Sequence, residues 1–315
     1  MSVSYADVEQ AASRIAPHIN RTPVMTSRTL DDRSGKRVFL KCENFQRGGS
    51  FKLRGGVNFL FSMSDDDVHR GVVAFSSGNH AQAVAIAAGL RGSSATVVMP
   101  DDASKSKAEG VRAYGGRIIF YNRFRDDREA IGRNLAAETG ATLVPPFDHP
   151  WIIAGQGTAA REMLSETGPL DAVVTCVGGG GLLSGSAISA HALHPSTRVF
   201  GVEPALANDW ALSMEAGHPV AIPPSTTIAD GLRSPQPGAI TFPIVRKLVE
   251  KIILVTEEEI LDAMRFLLFR MKILVEPSGA VSVAGVLSGK LPAEIRSVGV
   301  IVSGGNVDME VVRSL

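Results

Sequence analysis

A lysine that follows a glycine-rich turn and opens an apolar helix is the first residue of this chain with an evident chemical use. In Asn44-Phe45-Gln46-Arg47-Gly48-Gly49-Ser50-Phe51-Lys52-Leu53-Arg54-Gly55 the Lys52 amine is expected at a helix N-terminus, near the positive end of the dipole and partly out of water. Both influences favour the neutral amine. A neutral amine is the nucleophile that forms a Schiff base with an aldehyde cofactor. Taken alone, the same lysine also fits a solvated residue at the start of a helix. Gly178-Gly179-Gly180-Gly181 stands between DAVVTCV and LLSGSAISAHAL. Without Cβ atoms its successive N–H groups can converge on an anion, with a helix dipole behind them. The loop therefore reads as a phosphate cup, or as a tight strand-to-helix turn and nothing more. The nucleotide signatures G-x-G-x-x-G and G-x-x-x-x-G-K-[ST] do not fit, because Leu183 or Ser184 stands at the third glycine position and no lysine follows Gly185. Ser76-Ser77-Gly78-Asn79-His80 offers N–H groups, two hydroxyls and an amide, a set that can hold a carboxylate and bond a ring oxygen, or can cap a helix. Ser303-Gly304-Gly305-Asn306 ends an apolar run, where a hydroxyl can meet a ring nitrogen or cap a turn.

These segments need a scaffold, and the hydrophobic pattern supplies one. Short β-branched runs at 37–42, 71–76, 95–99, 117–121, 141–145, 171–177, 198–203, 251–255 and 297–302 predict strands. Helical patterns fill 52–63, 79–90, 104–114, 126–139, 156–167, 182–194, 257–271 and 278–288. The alternation predicts an α/β protein with a largely parallel sheet, whose ligands gather at the carboxyl ends of the strands. Both 62–70 and 145–150 read as crossovers. We therefore expect a small substrate-closing lobe at 71–148, inserted into a large cofactor-binding lobe made of 1–70 and 149–315.

The chain has 315 residues, enough for two lobes, and its 32 Lys and Arg balance 32 Asp and Glu. That balance leaves no electrostatic footprint for nucleic acid or an anionic membrane. Cys42 and Cys176 sit in apolar runs and form no C-x-x-C pair, so they read as core thiols in a reducing compartment. Asp7 and Glu9 interrupt the N-terminal stretch, and no run of about 18 apolar residues occurs anywhere. The expectation is a soluble, cytoplasmic protein.

Taken together, NFQRGGSFKLRG, SSGNHAQAVA, GGGG and SGGN occur in the order found in fold-type II pyridoxal phosphate enzymes. The chain resembles their serine/threonine dehydratase and serine racemase group, from about residue 5 to the C-terminus. FDHPWIIAGQGTAAREM and VEPSGAVSVAG extend the likeness. The resemblance implies a tryptophan synthase β-like fold with two open-sheet lobes and pyridoxal 5'-phosphate between them. It implies that Lys52 carries the cofactor as a Schiff base, that Phe51 packs on its ring, and that Asn79 meets the ring hydroxyl. Gly178, Gly179, Gly180, Gly181 and Leu182 would hold the phosphate, and Ser303 would face the pyridine nitrogen. Ser76, Ser77, Gly78, Asn79 and His80 would bind the substrate carboxylate, with Ser77 as the second acid/base that racemisation requires. Mg or Ca is implied at Glu203, the Ala207 carbonyl and Asp209, ligands suited to hard cations, although the bare spacing also fits a solvated acidic turn. A homodimer is implied as well. Two departures stand out: Gly48 replaces the family's usual Thr, and no effector-binding extension follows SGGN, so feedback inhibition by isoleucine is not expected.

The activity so implied is loss of water and then ammonia from a β-hydroxy amino acid: threonine, serine or 3-hydroxyaspartate. Racemisation is the alternative within the family. A non-catalytic cofactor carrier would not need the intact SSGNH, and a nicotinamide oxidoreductase lacks its fingerprint. Arg128 aligns with a position that can meet a second carboxylate in serine racemases. A cation is unfavourable at a helix start, and a guanidinium can hold a carboxylate bidentately. Surface pairing with Asp127 or Glu129 is the other use open to it.

Overall fold

Which strands become neighbours decides which loops meet. In the computed structural model, which describes residues 3–315, ten strands form: β1 (Val24–Met25), β2 (Arg37–Cys42), β3 (Val72–Phe75), β4 (Ala95–Pro100), β5 (Arg117–Tyr121), β6 (Thr142–Leu143), β7 (Ala172–Cys176), β8 (Arg198–Pro204), β9 (Lys251–Val255) and β10 (Ser297–Val302). They make a six-stranded sheet ordered β1-β2-β10-β7-β8-β9 and a four-stranded sheet ordered β5-β4-β3-β6. Every pairing is parallel except the short β1 on β2.

Parallel strands are covered on both faces, so their side chains are apolar in both directions. Along β7, Val173 points into a cluster with Met163, Leu164, Leu183 and Ala187 from helices Pro150–Thr167 and Gly181–Leu193. Its neighbour Val174 points the other way, toward Ile260, Ala263, Ala280 and Val283 from helices Glu257–Phe269 and Pro277–Leu287. The helix Lys52–Ser62 joins the two halves. Its Leu53, Val57, Phe59 and Leu60 pack with Val72 and Ala74 of β3 and with Ala83 and Ala87 of helix Asn79–Leu90.

One charged cluster fixes the start of that helix. Arg54, wholly buried, donates from Nε and Nη2 to the two Glu43 oxygens at 2.8 Å, and from Nη1 and Nη2 to the two Glu162 oxygens at 2.8 Å. Lys41 Nζ also lies 2.8 Å from Glu162. Burial opposes the guanidinium charge, and Glu43 and Glu162 overcome that and hold it. Removing one partner from such a buried set costs about 3–5 kcal/mol, because a charge is left alone. The cluster ties the end of β2 to helices Lys52–Ser62 and Pro150–Thr167 two residues from Lys52.

The sequence pattern and the structure differ in places. The strand expected at 141–145 shrinks to Thr142–Leu143, since Pro145 and Pro146 have no N–H for a ladder. The helix expected from 156 begins at Pro150, with His149 as its cap; proline at the first helical position loses no intrahelical bond. Helices Tyr5–Ile15, Arg28–Ser34, Asp209–Ala216 and Thr241–Leu248 form where the sequence pattern assigned no element. No helix among the described residues is long and apolar enough to cross a membrane.

Candidate active site

Because β2, β10 and β7 are adjacent and parallel, the loops at their carboxyl ends lie side by side. Those loops carry Lys52, Ser303 and Gly178–Gly181. The first two motifs are stitched into one unit. Phe51 N–H donates to Ser303 O at 3.0 Å and Gly305 N–H to Gly49 O at 2.8 Å, with Ser50 and Gly304 bridged antiparallel. Asn306 Nδ2 donates to Gly48 O at 2.8 Å and to Asn79 Oδ1 at 2.9 Å, adding the loop after β3. Gly48 has φ +76°, and a Cβ there would lie 2.6 Å from Ile86 Cδ1. The departure from Thr therefore goes with a left-handed turn that suits glycine.

Lys52 is the first residue of its helix. Its Nζ donates to Pro146 O at 2.8 Å and stands 5.2 Å from the centre of the Phe51 ring. Burial pushes its pKa down to about 8, so more of the amine is neutral near pH 7 than for a free lysine. Opposite stands the glycine loop. Trp210 Nε1 donates to Gly178 O, and Thr241 Oγ1 donates to Gly179 O at 2.8 Å. In a trans peptide the next N–H points the other way, so the Gly179 and Gly180 N–H groups face away from that packing. Gly180 has φ +95°, and a Cβ on it would meet Trp210 at 2.4 Å. Helix Gly181–Leu193 starts there, with its first N–H groups unpartnered within the helix. The loop fits a phosphate.

The loop after β3 completes the cleft, whose walls include Phe51, Lys52, Ser76, Ser77, Asn79, His80, Arg128, Gly178–Leu182 and Ser303. Every residue assigned by resemblance to cofactor or substrate thus lines one cavity, except Gly78, which is buried beneath the loop. The simple capping reading of this loop fails. Gly78 is the N-cap of helix Asn79–Leu90 and no side chain caps it. Burial, with Lys52 nearby, pushes His80 down to about 3, so it is neutral; its Nε2 is 3.1 Å from Val144 O and its Nδ1 has no partner among the described residues. Ser303 is buried, and its hydroxyl donates to Ser278 O at 3.4 Å.

Arg128 opens helix Arg128–Thr139, and neither expected surface partner holds it. Asp127 caps the helix by accepting from Glu129 and Ala130 N–H at 2.8 and 3.1 Å, and Glu129 pairs with Arg133. Arg128 lies instead over the Phe75 ring, 5.5 Å from its centre. Sequence reasoning missed three residues at this site. Lys107 Nζ donates to Asp230 Oδ2 at 2.7 Å and lies 3.0 Å from Glu276 Oε2, while Glu276 Oε1 accepts from Asn79 Nδ2 at 2.5 Å. Only Glu276 fell within a quoted motif, VEPSGAVSVAG, and no local spacing marks any of the three.

Away from the cleft, Glu203 and Asp209 are both wholly buried. Glu203 accepts from Ala211 N–H at 2.8 Å and Trp210 N–H at 3.3 Å, while among the described residues both Asp209 oxygens lack partners. Burial pushes Glu203 up to about 9 and Asp209 to about 7. Orphaned buried carboxylate oxygens beside a second carboxylate fit a hard cation. No cluster of three or more His, Cys, Asp or Glu occurs among the described residues, so backbone carbonyls would have to complete the shell.

An open-sheet α/β protein with a partly neutral lysine across a cleft from an anion cradle is built to hold a phosphorylated aldehyde. Residues 15–304 match the family described as pyridoxal-phosphate dependent enzyme, and the chain belongs to it. Its fold is the fold-type II architecture. L-threo-3-hydroxyaspartate ammonia-lyase of Saccharomyces cerevisiae is 50% identical over 307 residues, 98% of this chain and 94% of that one. Serine racemase of Schizosaccharomyces pombe is 45% identical, covering 98% and 95%. The structure of maize serine racemase superposes with a TM-score of 0.96 at 43% identity, covering 100% of this chain and 97% of that one.

Proposed function

We propose that this enzyme is an ammonia-lyase that removes water and then ammonia from a β-hydroxy amino acid, with L-threo-3-hydroxyaspartate as its preferred substrate and oxaloacetate as product. Arg128 carries the choice of substrate: it is a guanidinium in the cleft wall with no acidic partner within 4 Å among the described residues. Two relatives named for that activity, each 50% identical, support it. This reverses the ranking that the sequence favours, in which threonine and serine come first.

Bound at Lys52, pyridoxal phosphate supplies an electron sink for the bond broken at Cα. The protein supplies everything else. Gly178–Leu182 would bind the phosphate, Phe51 would pack beside the ring, and Asn79 would hold the ring hydroxyl. Ser303 would give the ring nitrogen a neutral partner, one that does not favour its protonation. The N–H groups and hydroxyls of Ser76–His80 take the α-carboxylate, and Lys52 Nζ takes the Cα proton. Segment 71–148 acts as the lobe that closes on the larger remainder and excludes water.

Racemisation is the second reading, favoured by one observation: Ser77 lines the same cleft as Lys52, and among the described residues no other side chain is hydrogen-bonded to it. It would serve as the second proton carrier. Glu203, Asp209 and the Ala207 carbonyl would hold Mg or Ca, a reading supported by the unpartnered Asp209 oxygens. The setting we propose is a cytoplasmic homodimer, consistent with two buried free thiols. The test is release of 2-oxo acid and ammonia from L-threo-3-hydroxyaspartate, L-serine and L-threonine. Highest kcat/KM on the first is expected. No turnover of any of the three would overturn the reading.

A further inference from the structure

The cleft lies between two sheets, and one buried charge spans it. Lys107, only 3% exposed, is on helix Lys105–Ala113, which packs on the four-stranded sheet through Ala108 and Val111 against Val97 and Met99. Both of its carboxylate partners belong to the other side. Asp230 lies between Ala229 and Leu232, which pack with Ala280 and Val281, and Glu276 immediately precedes helix Pro277–Leu287. Among the described residues the only other ion pair between 71–148 and the rest is Arg91 with Asp65, whose carboxylate is 86% exposed. The lysine stem reaches its partners by crossing Gly78, where a Cβ would fall 2.2 Å from Lys107 Cδ. Burial works against the ammonium, and Glu276 and Asp230 overcome that and hold it charged.

The cluster also reaches the cofactor side of the cleft. Glu276 uses one oxygen for Lys107 and the other for Asn79 Nδ2, and Asn79 Oδ1 accepts from Asn306. The Asn79 amide is therefore oriented at both ends, once from each of two loops of the larger part. We infer that Lys107 is a positioning residue: clamped between Asp230 and Glu276, its ammonium holds the two sheets closed over the cleft and fixes Asn79 through Glu276. The link to turnover rests on the proposed function, whereas the closure itself does not.

Two measurements test this on the purified holoenzyme. Hydrogen exchange of Lys107→Met should quicken in helices 79–90 and 105–113 and stay unchanged in β7 and β10, with Lys107→Arg restoring slow exchange. KM for L-threo-3-hydroxyaspartate should rise about tenfold or more with a smaller change in kcat, since only the closed fraction binds substrate. Unchanged exchange in both helices overturns the inference, and so does a kcat loss with KM unaltered. If Lys107→Met exchanges rapidly everywhere, Asp230→Asn decides, because it keeps the Glu276 pair. The same local pattern at smaller amplitude is then expected, and wild-type exchange would overturn the inference. Failure to turn over any β-hydroxy amino acid would overturn the functional reading alone and leave the exchange result standing.

Discussion

Replacing Arg128 by alanine separates the acidic substrate from its neutral analogues. Among the described residues the guanidinium is neither paired nor capping; it rests on Phe75 in the wall of the cleft. A bidentate bond from such a group to the β-carboxylate of 3-hydroxyaspartate is charge-assisted, and its loss costs about 1.5–3 kcal/mol, or roughly 10- to 150-fold in kcat/KM. L-serine presents no second carboxylate, so its kcat/KM should change by about threefold or less, through lost packing on Phe75 alone. Arg123 lines the same cleft but is committed to Asp102 at 2.6 Å. Arg123→Ala should therefore not reproduce the discrimination. Initial rates of 2-oxo acid formation on both substrates, by wild type and both variants, give the comparison. Equal losses on the two substrates with Arg128→Ala would refute the reasoning, and so would a larger selective loss with Arg123→Ala.

Chelation should lower the melting temperature by several degrees, since an ion present at a hundred times its Kd contributes about 2.7 kcal/mol; the double change Glu203→Ala, Asp209→Ala should abolish that response, and an unchanged melting curve in wild type would remove the cation site. Ser77→Ala should suppress racemisation of L-serine and elimination from D-substrates while sparing elimination from L-substrates; equal losses would make Ser77 a binding group only. The pKa of Lys52 is lowered by burial to about 8, so the neutral amine grows in as pH rises through that value. The rate at which cofactor-free protein takes up pyridoxal phosphate should therefore rise with a midpoint near 8, and a midpoint above 10 would mean that the amine is solvated.

What could be read from the chain without coordinates was what local pattern encodes. Runs such as Arg37–Cys42, Lys251–Val255 and Ser297–Val302 are strands at the expected limits, because apolar β-branched segments bounded by polar turns have few other uses. Lys52 at the head of its helix and the glycines before helix Gly181–Leu193 followed from the same punctuation. Proline misled twice: Pro145 and Pro150 read as a linker, yet the first ends a two-residue strand and the second begins an eighteen-residue helix. Helix Asp209–Ala216 was hidden because its cap is remote, Glu203 of β8 accepting its first N–H groups. Arg128 left two uses open until the capping role of Asp127 closed one. The Lys107 cluster was invisible for a more basic reason. Its partners lie 123 and 169 positions away in sequence, and only the packing of one sheet against the other brings them within reach.

Lys52 is the residue proposed to carry the cofactor, and borohydride reduction of the purified holoenzyme followed by peptide mapping tests this directly. The reduced adduct should lie on Lys52 alone, in a peptide containing Ser50-Phe51-Lys52. Lys107, the other lysine in the cleft wall, is held between two carboxylates, and Lys41 is buried against Glu162. An adduct on Lys41, Lys105 or Lys107, or a colourless protein that takes up no pyridoxal phosphate, would contradict the account.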